Sequence, residues 1–89
     1  MRVKYEKSFL RDLKAVRDKG IKNDLKRLID FIKDVERPDL IPGLKKLKGV
    51  GNYYRIKLKS YRVGIKIEGN EVIFVRFLPR KEIYGYFPG

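Results

Sequence analysis

Arg55, Lys57, Arg62, Arg80 and Tyr84 are the side chains of this sequence best suited to chemistry. Four are cations and one is a phenol, and none is a metal ligand of the usual kind. Such a set can hold a phosphodiester. In RNA the 2′-hydroxyl is an internal nucleophile. A protein need only align it, take its proton and stabilise a dianionic phosphorane. A lysine crowded by arginines gives up its proton more readily and can act as a base near neutral pH. The same cations would also serve a protein that binds RNA without cutting it.

Composition removes most other chemistries. There is no cysteine and no histidine, so disulfides, thiolate or zinc sites and His-based triads are excluded. The acidic residues are scattered, mostly over helical segments, which argues against a two-metal nuclease. Gly49-x-Gly51 lacks the Lys-Ser/Thr and the following helix of a P-loop. No metal and no cofactor is expected. No apolar run of membrane-spanning length occurs, and Met1 to Glu6 does not read as a signal peptide. The expectation is a cytoplasmic protein with no membrane partner.

The net charge of +12 is unevenly spread. Residues 40–67 carry eight basic and no acidic side chains, whereas residues 68–89 carry three of each. A concentrated positive segment attracts a polyanion, with nucleic acid first and an acidic protein segment second.

The elements that must position these cations are strands. From Tyr53 to Lys59 apolar and charged residues alternate. Tyr54, Ile56 and Leu58 share one face, and Arg55, Lys57 and Lys59 the other. Tyr61, Val63, Ile65 and Ile67 alternate with Arg62, Gly64 and Lys66 in the same way. A two-residue turn at Lys59-Ser60 sets Leu58 against Tyr61, Ile56 against Val63 and Tyr54 against Ile65. That register gathers the apolar residues on one face, so burial selects it. The turn lacks the Asn-Gly signature, and burial alone carries the register. It also sets Lys57 directly opposite Arg62. Like charges so placed are destabilising, which suggests an anion to hold; the alternative is a plain solvated basic face.

A further strand runs from Val72 to Leu78. A three-residue loop at Gly69-Asn70-Glu71 with a bulge would set Ile67 against Ile73, Ile65 against Val75 and Val63 against Phe77. Arg76 would then lie beside Gly64 on the basic face. Phe74 would be exposed among cations as a base-stacking platform. A plain two-residue turn would instead bury Arg76, which is costly.

Upstream, Arg2 to Tyr5 reads as a short strand. Ser8 is a plausible N-cap for a helix carrying Phe9, Leu10, Leu13 and Val16, with Gly20 at its C′ position. Ile21, Leu25, Leu28, Ile29, Ile32 and Val35 form the stripe of a second helix that Pro38 ends. The two stripes need the apolar sheet face to cover them. Asp39 to Asn52, with Pro42-Gly43 and Gly49-Val50-Gly51, reads as a loop pinned by Leu44 and Leu47. Its Lys45, Lys46 and Lys48 suit phosphate contacts or simply solubility. Arg80 to Pro88 holds about one helical turn, with Arg80 and Tyr84 on one side at i, i+4. Residues 1–89 are expected to form a single domain of the α+β class.

Several motifs carry a family resemblance that spans almost the whole chain. They are the opening strand, Phe9-Leu10-Arg11-Asp12-Leu13-Lys14, Leu47-Lys48-Gly49, Tyr54-Arg55-Ile56-Lys57-Leu58, Tyr61-Arg62-Val63 and Arg80-Lys81-Glu82-Ile83-Tyr84. In order and spacing they resemble the RelE toxins of the RelE/ParE superfamily, most of all the archaeal-type members. The resemblance implies a β-α-α-β-β-β core with an N-terminal helical hairpin on an antiparallel-rich sheet and a short C-terminal helical turn. It implies the toxin of a type II toxin–antitoxin system, a metal-independent endoribonuclease that cuts mRNA in the ribosomal A site. The implied partners are mRNA on the ribosome, the 16S-type rRNA of the A site and a cognate RelB-like antitoxin.

Carried over by position, Lys57 resembles the general base and Arg62 the residue that stabilises the transition-state phosphate. Arg80 resembles the arginine with a phosphate-stabilising or acid role, and Tyr84 the tyrosine that stacks on or orients the nucleotide. Arg55 sits where relatives often carry a second catalytic lysine; it keeps the charge and weakens any base role. Pro79 stands where many members have histidine. Lys45, Lys46, Lys48, Lys59, Lys66, Arg76 and Phe74 are the expected RNA or ribosome contacts. Two other readings stand beside the mRNA interferase. One is a ParE-like toxin that inhibits DNA gyrase by binding. The other is a non-catalytic basic RNA-binding protein.

Overall fold

A computed structural model describes residues 1–49 and 51–88. Its elements are β1 (Arg2–Tyr5), α1 (Lys7–Ala15), α2 (Lys19–Asp34), a 3-10 turn (Pro38–Leu40), β2 (Leu44–Lys46), β3 (Tyr53–Leu58), β4 (Tyr61–Glu68), β5 (Glu71–Pro79) and α3 (Arg80–Tyr86). The strands form one sheet in the order β1-β5-β4-β3-β2, with β1 parallel to β5 and the other pairs antiparallel. The expected α+β order is present with one short strand more. That strand, β2, lies in the segment expected to be loop, where three residues pair Leu44 with Ile56, Lys45 with Arg55 and Lys46 with Tyr54. Its entry needs a glycine. Gly43 has φ +76, and a Cβ there would stand 3.0 Å from the Lys57 carbonyl oxygen. Val50, placed in the same loop by the sequence, lies outside the described residues.

The helix boundary differs from the expectation. Gly20 does not end α1 but sits in the first turn of α2. Asp18 caps that helix, its carboxylate accepting from the Gly20 and Ile21 N–H groups at 2.8 and 3.2 Å. The carboxylate satisfies donors that a helix start leaves open, and that outweighs the glycine signal. Ser8 is likewise no cap: it lies inside α1, and its hydroxyl donates to the Val75 carbonyl oxygen at 2.6 Å.

That bond marks the feature the sequence placed wrongly. The β4–β5 turn is Gly69-Asn70, with Glu68 opposite Glu71 and Ile67 opposite Val72. The bulge comes later, where Gly64 pairs with Arg76 and Ile65 with Phe74, leaving Val75 as the extra residue. Phe74 is therefore fully buried and is no stacking platform. Moving the bulge into the strand satisfies two demands at once: Phe74 enters the core and Arg76 stays off it. The expected pairs Val63–Phe77 and Gly64–Arg76 are present; Ile67–Ile73 and Ile65–Val75 are not.

The core lies between the helical pair and one face of the sheet. Phe9, Leu25, Ile32, Ile56, Val63, Ile65, Phe74 and Phe77 are each at most 2% exposed. Beyond the end of β1, β5 has an open edge that α1 covers. Asp12 accepts from the Phe77 N–H at 2.9 Å and holds Arg76 with two bonds, at 2.7 and 3.0 Å. This spends Arg76 on structure and corrects its expected role as a free RNA contact. Removing Asp12 leaves the partly buried Arg76 guanidinium without its counter-charge and the buried Phe77 N–H without its acceptor. Asp12→Ala is expected to lower the unfolding free energy by about 3–5 kcal/mol in urea denaturation. A loss below about 1 kcal/mol, the range of exposed pairs, would contradict this account of the edge.

Candidate functional site

The face away from the core carries the cations. The β3–β4 register is the one burial selects, with Leu58 opposite Tyr61, Ile56 opposite Val63 and Lys57 opposite Arg62. Directly opposed residues point to the same side of a sheet, so Lys57 and Arg62 share the outer face. The turn between them is tight, and Lys59 adopts φ +54, a left-handed conformation uncommon outside glycine.

Arg62 is held by that turn. Its Nη1 donates to the carbonyl oxygens of Lys59 and Tyr61, each at 2.8 Å. Only 8% of the residue is exposed, making it one of two buried charged residues among those described. The other, Asp12, has its counter-charge in Arg76. Arg62 has no carboxylate within ion-pair distance among the described residues, and neither do Lys57, Arg55 and Arg80. A buried charge ordinarily has a partner. Here two backbone dipoles hold the guanidinium and leave its remaining donors free for an anion.

α3 brings the second half of the site. Its first N–H, from Arg80, donates to the Ser60 carbonyl oxygen at 2.9 Å, so the hairpin turn supports both arginines. A cleft of about 720 Å³ opens between turn and helix, lined by Lys57, Lys59, Ser60, Arg62, Pro79, Arg80, Lys81 and Tyr84. No acidic side chain is among them. Tyr84 is 59% exposed. The Arg80 guanidinium, beside its hydroxyl on the same helix, holds its phenol below the ordinary tyrosine value. The charges of Arg55, Arg80 and Arg62 act in the same direction. Arg55 lies over the Tyr84 ring, 4.8 Å from its centroid, and does not line the cleft.

The structure thus brings Lys57, Arg62, Arg80 and Tyr84 together and sets Arg55 behind the tyrosine. Lys59 lines the same cleft while its ammonium reaches Asp24 of α2 at 2.7 Å. Lys45 shares the face of Arg55, its partner in register; Lys46, opposite Tyr54, points to the other side; Lys48 is exposed in the turn after β2. Lys66 leans towards Glu68, 3.9 Å away, and the Tyr53 ring. Lys81 and Ser60 were missed by the sequence reasoning. The Arg80-Lys81 pair was the available signal for the first, and nothing marked the second.

Comparison with known proteins accords with this geometry. A family model described as the ParE toxin of type II toxin–antitoxin systems, parDE, matches residues 3–84. Toxin RelE3 of Methanocaldococcus jannaschii is 43% identical over 89 residues, 99% of this chain and 100% of that protein. The chain is a toxin of the RelE/ParE family. The fold agrees with that of a chain in the crystal structure of the RelB-RelE antitoxin-toxin complex from Methanococcus jannaschii. There the TM-score is 0.82 at 40% identity, covering 96% of this toxin and 99% of that chain. An archaeal RelE-RelB complex from Pyrococcus horikoshii OT3 shares the fold at a TM-score of 0.71 and 24% identity, covering 89% and 93%.

The phenol gives a direct probe of the site. In a pH titration followed by NMR of labelled tyrosine, Tyr84 should lose its proton at lower pH than an unperturbed tyrosine. Arg80→Ala should move its midpoint back up, because the cation beside the phenol is gone. A midpoint that Arg80→Ala leaves in place would contradict this geometry.

Proposed function

We propose that this toxin is an mRNA interferase that cleaves ribosome-bound message by attack of a 2′-hydroxyl on the adjacent phosphorus. The observation that carries the reading is Arg62: a buried arginine with no counter-ion among the described residues, in register with Lys57, on a cleft whose described lining is cations, polar groups and a proline. Lys57, in its neutral form, accepts the 2′ proton. Arg62 and Arg80 hold the charge that develops on the phosphorane. Tyr84 orients the nucleotide, one face of its ring taken by Arg55 and the other open to a base. Its phenol is also a neutral proton donor at the cleft, and its lowered pKa makes it a stronger acid than an ordinary tyrosine for the departing 5′-oxygen. The products are a 2′,3′-cyclic phosphate and a 5′-hydroxyl, and no metal takes part. Pro79 contributes shape and no proton.

The partners follow from the same surface. The ribosomal A site and its 16S-type rRNA present phosphates to Lys45 and Lys48, and to Lys59 where its ammonium exchanges Asp24 for a phosphate. Solved relatives are complexes with RelB, and an acidic or amphipathic segment of a cognate antitoxin would cover the cationic face of this chain. The family model's ParE description supports a second reading, a toxin that inhibits gyrase without cutting RNA. The cationic cleft and the identity to Toxin RelE3 favour the first.

Primer extension on translated message separates the readings. The interferase yields cuts only on ribosome-engaged mRNA, and Lys57→Ala or Arg62→Ala lowers single-turnover cleavage by about 10²–10⁴-fold. Gyrase-dependent DNA breaks with intact message would support the ParE reading. Cleavage unchanged in the double variant would remove Lys57 and Arg62 from the mechanism.

A further inference from the structure

α3 carries Arg80 and Tyr84 to the cleft, yet it has only seven residues. A helix that short has no stability of its own, so tertiary contacts must fix its place. At its start the Ser60 carbonyl oxygen holds the Arg80 N–H. Its end is held by two aromatic side chains, neither of which lines the cleft. Phe87, the residue that closes the helix, is 6% exposed. Its ring lies over Gly64 so closely that a Cβ on Gly64 would stand 2.8 Å from three ring atoms. Tyr53 meets the same ring edge-on, with centroids 5.5 Å apart. Tyr86 takes the guanidinium of Arg76 over its ring at 5.2 Å, and Asp12 fixes that guanidinium from the other side.

We propose that Phe87, seated over Gly64, is a positioning residue for the site, with Tyr86 against the Asp12–Arg76 pair as its second anchor. Together they set the height and rotation of α3 so that Arg80 and Tyr84 stand over Lys57 and Arg62. The bare Cα of Gly64 is what lets the helix end come down onto β4. Gly64 lies two residues from Arg62 on the same face, and Arg55 is its partner in register, so the seat adjoins the cleft. For its catalytic consequence the proposal rests on the cleavage reading; the placement of Tyr84 can be read without it.

The seat can be emptied from either side. Phe87→Ala removes the ring, and Gly64→Ala pushes it out from the sheet. Both are made in the full chain, and urea unfolding gives the folded fraction of each. In both variants the Tyr84 phenol should titrate closer to an unperturbed tyrosine, because α3 no longer holds it against Arg55 and Arg62 on the sheet, while Arg80 moves with it on the same helix. Single-turnover cleavage of ribosome-bound message should fall by about 10–10²-fold, the effect of an ångström-scale misplacement. The ribosome concentration for half-saturation should stay the same. Phe87→Leu, which refills the seat, should restore both readings. Native Tyr84 titration in folded Phe87→Ala would overturn the proposal. So would a cleavage loss that matches only the unfolded fraction, or a failure of Phe87→Leu to rescue. If the native toxin does not cut at all, the cleavage reading fails, and the tyrosine titration still decides whether the seat positions α3.

Discussion

The turn at Lys59-Ser60 is the constraint on which the site depends. Three carbonyl oxygens at and beside it make the contacts that matter. Those of Lys59 and Tyr61 hold the Arg62 guanidinium, and that of Ser60 holds the start of α3. A salt bridge from Lys59 to Asp24 ties the turn to α2. The turn cannot slip by one residue without sending Ile56, Val63 and Ile65 out of the core. Packing on one face thereby fixes a pair of cations on the other. Their repulsion opposes folding, and hydrophobic burial on the far side offsets it.

The same division explains which cations are free. Arg76 has a carboxylate, and Lys66 leans on Glu68 and Tyr53. These side chains support the sheet and the C-terminal segment. Arg62 has only neutral carbonyl partners, and Lys57 has no ion pair among the described residues. An anion that enters the cleft meets charge that the fold has not neutralised. It also meets an arginine already held in one geometry, which reduces the ordering needed on binding.

Much of this was legible in the sequence, because strand alternation is a strong signal. The β3–β4 register followed from where Tyr54, Ile56, Leu58, Tyr61, Val63 and Ile65 must point. The helical stripes were legible for the same reason. β2 was not: three residues of which two are lysines show no alternation, and their pairing depends on β3. The bulge at Val75 was misplaced because local turn chemistry cannot say where in a strand an extra residue will sit. Ser8 on α1 decides that, 67 residues away in sequence. The misplacement exposed Phe74 on paper and left Arg76 free, and both corrections follow from the one shift. Asp18 was overlooked beside Gly20 because a capping carboxylate and a stop signal compete within three residues.

The central claim is that the register of β3 and β4 leaves Arg62 charged, buried and ready for a phosphate. NMR of the arginine side-chain nitrogens during titration with inorganic phosphate tests it most directly, with Arg76 as the internal reference. The account predicts a saturable shift at Arg62, abolished by Lys57→Ala or weakened by it, and none at Arg76. Resonances of Arg62 that stay put, or that move only as much as those of the neutralised Arg76, would contradict it.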